Sequence, residues 1–288
     1  MPIAALSRLD SFPRKPLAFL PTPLLPAPSL REALGPDAPP ILMKMDDWTG
    51  FALGGNKVRK LEFYLGGEHA EADALITCGG PQSNHCRVTA ATAAQLGMEC
   101  VLVVNGHPPE PPTGNALLMK IFGAEVRVVD GREDRAPAME EVAGELAATG
   151  KKAVVIPLGA STPLGALGYV RAAVEIDRQM TERGGWPAGK TWVFISSSSC
   201  GTLAGLALGF SILGRENVRL VGVSPDVSEE EIHAVSTEIA LGAADLLGWD
   251  GGLIPDLVTA DEGFVGEGYG VPNQASGEAT TFFGRNAG

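Results

Sequence analysis

The sequence has few of the features that mark secreted or membrane-spanning proteins. Its four cysteines form no CxxC pair and no ladder of disulfide-like spacing, which is typical of proteins from a reducing cytosol. No apolar run approaches the ~20 residues that are needed to span a bilayer. Residues 1–10 lack the basic segment and the apolar core of a signal peptide. We therefore expect a cytoplasmic protein with no membrane partner.

Basic charge and histidine are also scarce. The chain has 22 Lys and Arg against 34 Asp and Glu, and its net charge is −12. Nucleic acids require a basic face, so we expect no nucleic-acid partner. The four histidines are scattered without the spacing of metal ligands, so we predict no metal site. With 288 residues, of which 45% are hydrophobic, the chain can bury the core of one large domain or of two modest ones.

Helical and strand patterns alternate regularly from residue 57 onward. The strand segments are short, apolar and β-branched, as in buried parallel strands, and the alternation predicts an α/β fold with open parallel sheets. Before it, residues 9–30 contain six prolines, which predicts an extended arm and not a helix, and 41–45 is predicted as a short strand. We predict helices at 57–70, 83–96, 114–122, 135–149, 165–183 and 202–213, and strands at 74–78, 100–104, 125–129, 153–157, 191–195 and 218–223.

The stretch Gly54-Gly55-Asn56-Lys57-Val58-Arg59-Lys60-Leu61-Glu62 carries the first chemical signal. Two glycines free the backbone, and Asn56 is a favoured helix N-cap. Lys57 then falls in the first turn of a helix, where the positive end of the helix dipole repels a cation. This repulsion and burial would lower the pKa of Lys57, as a Schiff-base lysine requires. From this stretch alone, a solvated surface lysine remains an alternative. Lys60 lies on the same helix face, and we expect it to be solvated.

Two further stretches place polar groups after predicted strands. In Gln82-Ser83-Asn84-His85-Cys86-Arg87, Ser83 and Asn84 begin a helix, where backbone N–H groups favour a carboxylate; a simple helix cap is the alternative. The segment 196–205 contains four consecutive serines before Cys-Gly-Thr and leads from a strand into a helix. Such a turn allows the close backbone approach that a phosphate needs, and hydroxyls add donors. It is neither a Walker loop nor a dinucleotide fingerprint.

Together, the motifs GGNKVRKLE, QSNHCR, SSSSCGTLAGL and GYGVPN resemble those of the D-cysteine desulfhydrase and 1-aminocyclopropane-1-carboxylate (ACC) deaminase group. Those enzymes use pyridoxal 5′-phosphate (PLP) and have the tryptophan-synthase-β fold, fold type II. The resemblance covers about residues 9–279. It implies two open parallel-sheet, three-layer αβα domains with PLP in the cleft between them. A larger domain would comprise 1–59 and 171–288 and a smaller one 60–170, and the protein would be a homodimer.

The resemblance also implies roles for individual residues. Lys57 would hold PLP covalently and take the α-proton of the substrate. Ser83 would contact the substrate and assist proton transfer, while Asn84 would contact the PLP 3′-hydroxyl and the substrate carboxylate. His85 would contact the substrate, and Tyr269 would face it. The cofactor phosphate would lie against Ser198, Ser199, Cys200, Gly201 and Thr202, although the family usually has glycine where this chain has Cys200.

These features favour a PLP-dependent carbon–sulfur lyase or deaminase of a small amino acid. The leading hypothesis is that D-cysteine is converted to pyruvate, sulfide and ammonia. ACC deaminase, which yields 2-oxobutyrate and ammonia, is the alternative within this class, and other β-substituted amino acids such as L-cysteate remain open. A non-catalytic PLP-binding or anion-binding protein is the alternative from another class. A nucleotide-binding oxidoreductase is disfavoured because no dinucleotide fingerprint is present.

The C-terminal end is the place where the resemblance fails. Family members continue for several tens of residues past Gly288, with a second active-site tyrosine, a last strand and a helix. We therefore expect a truncated chain that binds PLP weakly and turns over slowly or not at all. We also expect an exposed sheet edge that favours aggregation.

Overall fold

The computed structural model describes residues 2–287, apart from the side chain of Glu68. It confirms the predicted α/β class, with two separate parallel sheets. Three short 3₁₀ turns lie at Asp46–Trp48, Gly67–His69 and Leu158–Ala160. The remaining elements, in chain order, are α1 Pro2–Ser11, β1 Leu24–Pro26, α2 Pro28–Ala33, β2 Leu42–Lys44, α3 Lys57–Tyr64, β3 Ala74–Gly79, α4 Asn84–Leu96, β4 Glu99–Asn105, α5 Gly114–Ile121, β5 Glu125–Val129, α6 Arg135–Ala148, β6 Ala153–Val155, α7 Pro163–Glu182, β7 Thr191–Ser196, α8 Gly201–Ile212, β8 Val218–Val223, α9 Glu229–Leu247, β9 Val258–Asp261 and α10 Gln274–Asn286.

The first sheet has the strand order β5-β4-β3-β6, and all its pairs are parallel. Strand β3 lies inside this sheet and is buried along its whole length, as its run Ala-Leu-Ile-Thr-Cys-Gly predicts for a strand covered on both faces. Leu75 and Leu102 from β3 and β4 pack in one core with Val58 and Leu61 from α3. The helix that carries Lys57 is therefore fixed against this sheet.

The second sheet has the parallel order β7-β8-β9, and its edge differs from the prediction of buried strands. The side chains of Trp192 and Phe194 on β7 are 51% and 71% exposed. An apolar, β-branched run predicts a strand but cannot reveal whether its outer face is covered. Strands β1 and β2 pair in antiparallel orientation and form a third, two-stranded sheet near the N-terminus.

Helices α3, α7 and α8 pack closely through glycine. A Cβ at Gly168 of α7 would lie 2.1 Å from the carbonyl oxygen of Arg59 on α3. A Cβ at Gly205 of α8 would lie 2.3 Å from the carbonyl oxygen of Ala166, also on α7. These helices can approach so closely only because glycine has no side chain. The two glycines therefore determine how closely α7 packs against α3 and against α8.

Most predicted elements appear within a few residues of their predicted bounds, and β5 and β8 match them. The helix from 57 ends at Tyr64, and the chain is already extended at Gly66, with φ and ψ of −78° and 171°. A Cβ at Gly66 would lie 2.0 Å from the Pro13 carbonyl oxygen. The proline arm is only partly extended, since α1 reaches Ser11 and α2 begins at Pro28, where proline is tolerated in a first helical turn. Helices α9 and α10 and strand β9 were not predicted.

The arm between α1 and β1 is held by one buried carboxylate. The backbone N–H groups of Leu17 and Ala18 donate to Glu62 Oε1 at 2.7 and 2.8 Å. Arg14 pairs with the other oxygen at 2.9 Å.

Among residues 2–287, no helix combines the length and the apolar content that crossing a bilayer requires.

Candidate active site

A cavity of about 450 Å³ lies where the carboxyl ends of β3 and β7 face each other. Gly79 and Gly80 line it from the first sheet, and 196–200 line it from the second. Ligands of open α/β sheets bind at such strand ends. Of the predicted site residues, Gly201 alone is not part of the lining; it is the first residue of α8, beside the cavity. Those that line it are Lys57, Ser83, Asn84, His85, Ser198, Ser199, Cys200, Thr202 and Tyr269.

Lys57 is the first residue of α3 and is half-buried in the cavity wall. Gly54 and Gly55 lead into it with φ angles of +79° and +110°, which explains the glycine pair. The predicted capping role of Asn56 is wrong, because its side chain makes no cap bond. Burial lowers the pKa of Lys57 to about 8, and a hydrogen bond with Lys60 opposes this shift.

The expectation that Lys60 is solvated is also wrong, since its side chain is fully buried. Its Nζ donates to Ser161 Oγ at 2.9 Å, and Ser161 Oγ donates to Ser199 Oγ at 2.8 Å. Burial and the neighbouring Lys57 lower the pKa of Lys60. The lysine pair is thus linked by hydrogen bonds to the serine loop at 196–200. Nothing in a helix as charged as Lys-Val-Arg-Lys-Leu-Glu signals that its lysines and arginine are buried.

Lys57 should therefore react with aldehydes at a lower pH than an ordinary lysine, because only its neutral amine is a nucleophile. We expect the rate of its reductive methylation to be half-maximal near pH 8, the pKa that burial produces. Below that pH, the rate should fall about tenfold per pH unit. The rate at Lys57 can be followed by mass spectrometry of peptides, with an unstructured lysine peptide of pKa about 10.4 as the control. A midpoint near 10 for Lys57 would contradict the burial argument.

A chain of hydrogen bonds connects α4, the Lys57 loop and α8. Arg87 Nη2 donates to Gly54 O at 2.8 Å and to Asn84 Oδ1. Asn84 Nδ2 donates to Asn56 Oδ1 at 3.2 Å, and Asn56 Nδ2 donates to Thr202 Oγ1 at 3.1 Å. Asn84 is thereby oriented from both sides. Asn56 serves this chain, which explains why its side chain leaves the helix uncapped.

Ser83 and His85 begin α4 and are both buried. Ser83 caps the helix, since its Oγ accepts from Cys86 N at 3.2 Å, and its hydroxyl also bonds to the Cys86 side chain. Thr77 donates its single hydroxyl proton to Ile156 O at 2.8 Å. The 2.8 Å contact of His85 Nε2 with Thr77 Oγ1 must then use the imidazole N–H. Burial, with Lys57 and Lys60 nearby, lowers the pKa of His85, so its ring is neutral.

The serine loop ends at Cys200, which has a φ of +59°. This left-handed conformation favours glycine, so the cysteine here is strained. Cys200 is the N-cap of α8 but makes no side-chain cap bond, although its Sγ donates to Ser198 O at 3.3 Å. The amino end of α8 is therefore left open to an anion beside the hydroxyls of Ser199 and Thr202.

The mouth of the cavity contains groups that the sequence did not single out. Arg132, after β5, pairs with Asp226, after β8, at 2.9 Å, and this ion pair joins the loops of the two sheets. Both residues line the cavity beside the half-exposed Tyr269. Burial, followed by the charge of Asp226, raises the pKa of Tyr269, so its phenol stays protonated. Sequence spacing cannot reveal a pair that is 94 residues apart in the chain.

The charges around the cavity select for an anion and offer no metal site. Within residues 2–287, no carboxylate lies close enough to Lys57 or Lys60 to shift the pKa of either lysine. Within the same residues, no three His, Cys, Asp or Glu side chains are grouped so that they could hold a metal ion. Two amines, several hydroxyls and an open helix end are donors that match a phosphate or a carboxylate.

Comparison with known proteins identifies relatives of this chain. Residues 16–288 match the family model described as "Pyridoxal-phosphate dependent enzyme". The chain is 39% identical over 286 residues to a D-cysteine desulfhydrase of Salmonella choleraesuis (strain SC-B67), and 40% identical over 289 residues to one of Salmonella paratyphi B. Each alignment covers 95% of this chain and 82% of the relative.

Solved structures have the same fold. An ACC deaminase homologue superposes with a TM-score of 0.85 and 35% identity, covering 98% of this chain and 83% of that one. The processed form of a threonine deaminase isoform from Solanum lycopersicum has a TM-score of 0.61 and 19% identity, with coverage of 90% and 74%, which shows a likeness of fold alone.

Proposed function

The chain belongs to the family of pyridoxal-phosphate-dependent enzymes, and we propose that it converts D-cysteine to pyruvate, sulfide and ammonia, with Lys57 as the residue that binds PLP covalently. The observation that carries this proposal is the half-buried Lys57 in the cavity wall, whose pKa of about 8 leaves a far larger fraction of its amine neutral near pH 7 than an ordinary lysine has. The similarity to the Salmonella D-cysteine desulfhydrases supports the choice of substrate.

The cavity fits the cofactor. PLP carries a phosphate, and the open amino end of α8 with Ser198, Ser199 and Thr202 offers the donors that a phosphate requires. A Cβ at Gly201 would lie 2.7 Å from Ser161 Oγ, so glycine keeps this turn compact. Lys60, held by Ser161, would add an ammonium group once an anion is present to stabilise its charge. We propose that Cys200 and Gly201 contribute backbone donors, which requires Gly201 N to exchange its 2.8 Å bond to Ser199 O for one to the phosphate.

Three residues, Lys57, Ser83 and Asn84, would then act on the substrate. When bound, PLP supplies an aldehyde that bonds to amines and a ring that accepts electrons from the α-carbon. The Lys57 amine, displaced by the amine of the substrate, would take the α-proton, since a lysine of lowered pKa is a competent base. Asn84 and the first N–H groups of α4 would hold the substrate carboxylate. Ser83, which lines the cavity beside Asn84, would assist proton transfer.

The neutral His85 and the protonated Tyr269, which both line the cavity, would complete the contacts with the substrate. His85 begins α4 next to the carboxylate position, and Tyr269 lies at the mouth, where its phenol can donate a hydrogen bond. We further propose a homodimer in the cytoplasm, with a larger domain formed by 1–59 and 171–288 and a smaller one formed by 60–170.

ACC deaminase is the second candidate, because the ACC deaminase homologue has the same fold at 35% identity. A PLP-binding protein without turnover is the third. The same cavity would serve all three, since ACC is also a small amino acid with one carboxylate. What separates them is whether sulfide, 2-oxobutyrate or no product is released.

Incubation of the PLP-loaded protein with D-cysteine, L-cysteine and ACC in separate reactions would test this choice. We expect sulfide and pyruvate from D-cysteine, with a kcat/KM about 10²-fold above that for L-cysteine or ACC, because a site shaped for one substituent discriminates by that order. Sulfide, pyruvate, 2-oxobutyrate and ammonia would each be assayed. Release of 2-oxobutyrate from ACC without sulfide from D-cysteine would favour the second candidate, and covalent PLP without any product would favour the third.

A further inference from the structure

A buried ionic cluster lies beside α3, and two of its members, Asp46 and Tyr169, also line the cavity. Arg59, two residues after Lys57, is 1% exposed. Its Nε and Nη2 donate to the two oxygens of Asp46 at 3.0 and 2.8 Å. Its Nη1 donates to Glu175 Oε2 on α7 at 2.9 Å. The guanidinium therefore fixes α3 to two other elements with defined geometry.

Asp46 also holds the loop on the other side of Lys57. Its backbone oxygen accepts from Gly55 N at 2.9 Å, two residues before the lysine. Its carboxylate binds Arg59, two residues after the lysine. One residue thus anchors the chain immediately before and immediately after Lys57. Gly54 fits this loop only without a side chain, because a Cβ there would lie 1.7 Å from the Asp47 carbonyl oxygen.

The carboxylate of Asp46 is itself held in place. Tyr169 Oη donates to Asp46 Oδ2 at 2.6 Å, and Thr22 Oγ1 donates to Asp46 Oδ1 at 2.8 Å. Arg59 also donates to Thr22 Oγ1 at 2.9 Å. The N-terminal arm, the 3₁₀ turn at Asp46–Trp48, α3 and α7 therefore meet at one carboxylate. Burial of charges contributes little net stability, so the geometry that the cluster imposes is its more informative property.

The cluster does not act on Lys57 through charge. The pKa of Lys57 is shifted by burial and by Lys60, and neither Asp46 nor Arg59 contributes. Any influence on the lysine must therefore be exerted through its position. Position matters because a displacement of about 1 Å can slow a reaction of a bound group about 10²-fold.

We propose that Asp46 and Arg59 are positioning residues that fix the direction in which the Lys57 amine enters the cavity. This inference rests on the proposed function, in which Lys57 bonds to PLP. It assigns to the cluster a role in orienting the reactive lysine, in addition to joining α3 and α7.

An Arg59→Lys variant tests the proposal, with Arg215→Lys as the matched control. Arg215 also makes a partly buried ion pair, with Asp177, but does not line the cavity. PLP is mixed with each apoprotein across a range of pH, reduced with borohydride at intervals, and the label at Lys57 is quantified by mass spectrometry. Thermal unfolding of each variant is measured in parallel.

We expect Arg59→Lys to slow labelling of Lys57 about 10–100-fold while the midpoint of the pH profile stays near 8. Arg215→Lys should label at the rate of the unaltered protein, even if its thermal stability falls. Tyr169→Phe removes one hydrogen bond to Asp46 and no charge, so it should slow labelling by a smaller factor. This variant replaces Arg59→Lys as the test if Arg59→Lys does not fold.

Labelling of Arg59→Lys at the unaltered rate would overturn the proposal and leave the cluster with a purely structural role. A shifted pH midpoint would also overturn it, because the cluster would then act through charge. Absence of labelling at Lys57 in the unaltered protein would instead contradict the proposed function, which distinguishes the two failures.

Discussion

Replacement of Lys57 by alanine should abolish the covalent attachment of PLP and lower kcat for D-cysteine by about 10²–10⁴-fold, the range that a positioned proton-transfer group contributes. The reason is that Lys57 combines a place in the cavity wall with a partly exposed amine of lowered pKa. Lys44 also lines the cavity with a lowered pKa, but its amine is already paired with Glu175. Lys60, whose pKa is also lowered by burial, is fully enclosed and bonded to Ser161. The measurement is borohydride reduction followed by peptide mass spectrometry, with kcat determined from sulfide release.

The exposed Lys190 provides the matched control, since Lys190→Ala removes an amine of the same chemistry far from the cavity lining. That variant should retain full labelling and turnover. Labelling that moves to Lys60 in the Lys57→Ala protein would show that the hydrogen-bonded pair shares the reactive position. Labelling of Lys57→Ala at unchanged stoichiometry at any other site would refute the assignment of Lys57.

Most of the strands and the turn before Lys57 were accessible from the sequence because both depend on local patterns. Strands β5 and β8 have the predicted bounds, and the glycine pair before Lys57 signalled a special turn. The buried state of Lys60 and Arg59 was not accessible, because a charged helix normally faces water. Their burial depends on partners that are 101 and 116 residues away, Ser161 and Glu175. Local sequence contains no information about such contacts.

The close packing of α3 on α7 was hidden for the same reason, although its consequence for the site is direct. Gly168 in the run Gly-Ala-Leu-Gly-Tyr reads as a weak helix residue, since glycine costs about 0.8–1.0 kcal/mol relative to alanine in a helix interior. In the fold, its missing Cβ makes room for the carbonyl of Arg59. The same α7 carries Tyr169 and Glu175, which bind the Asp46–Arg59 cluster.

Gly168→Ala should therefore destabilise the protein by about 1–3 kcal/mol, the range for overpacking, despite the better helix propensity of alanine. The new methyl group would lie 2.1 Å from a backbone oxygen, which cannot rotate away, so α3 has to move. Because α3 begins at Lys57, labelling of this lysine by PLP should slow as well. Urea unfolding gives the change in stability, and borohydride trapping gives the change in labelling.

Gly144→Ala on α6 is the matched control. It shows whether the sign of the change in stability depends on the contact between α3 and α7. Gly144 also lies within a helix, but a Cβ there would meet nothing within 4 Å. Alanine at that site should stabilise the protein by about 0.5–1 kcal/mol and leave labelling unchanged. Opposite signs for one substitution in two helices would show that the distance between α3 and α7 limits what residue 168 can be. If Gly168→Ala were as stable as the unaltered protein, with labelling of Lys57 unchanged, the close approach of these two helices would not constrain the reactive lysine.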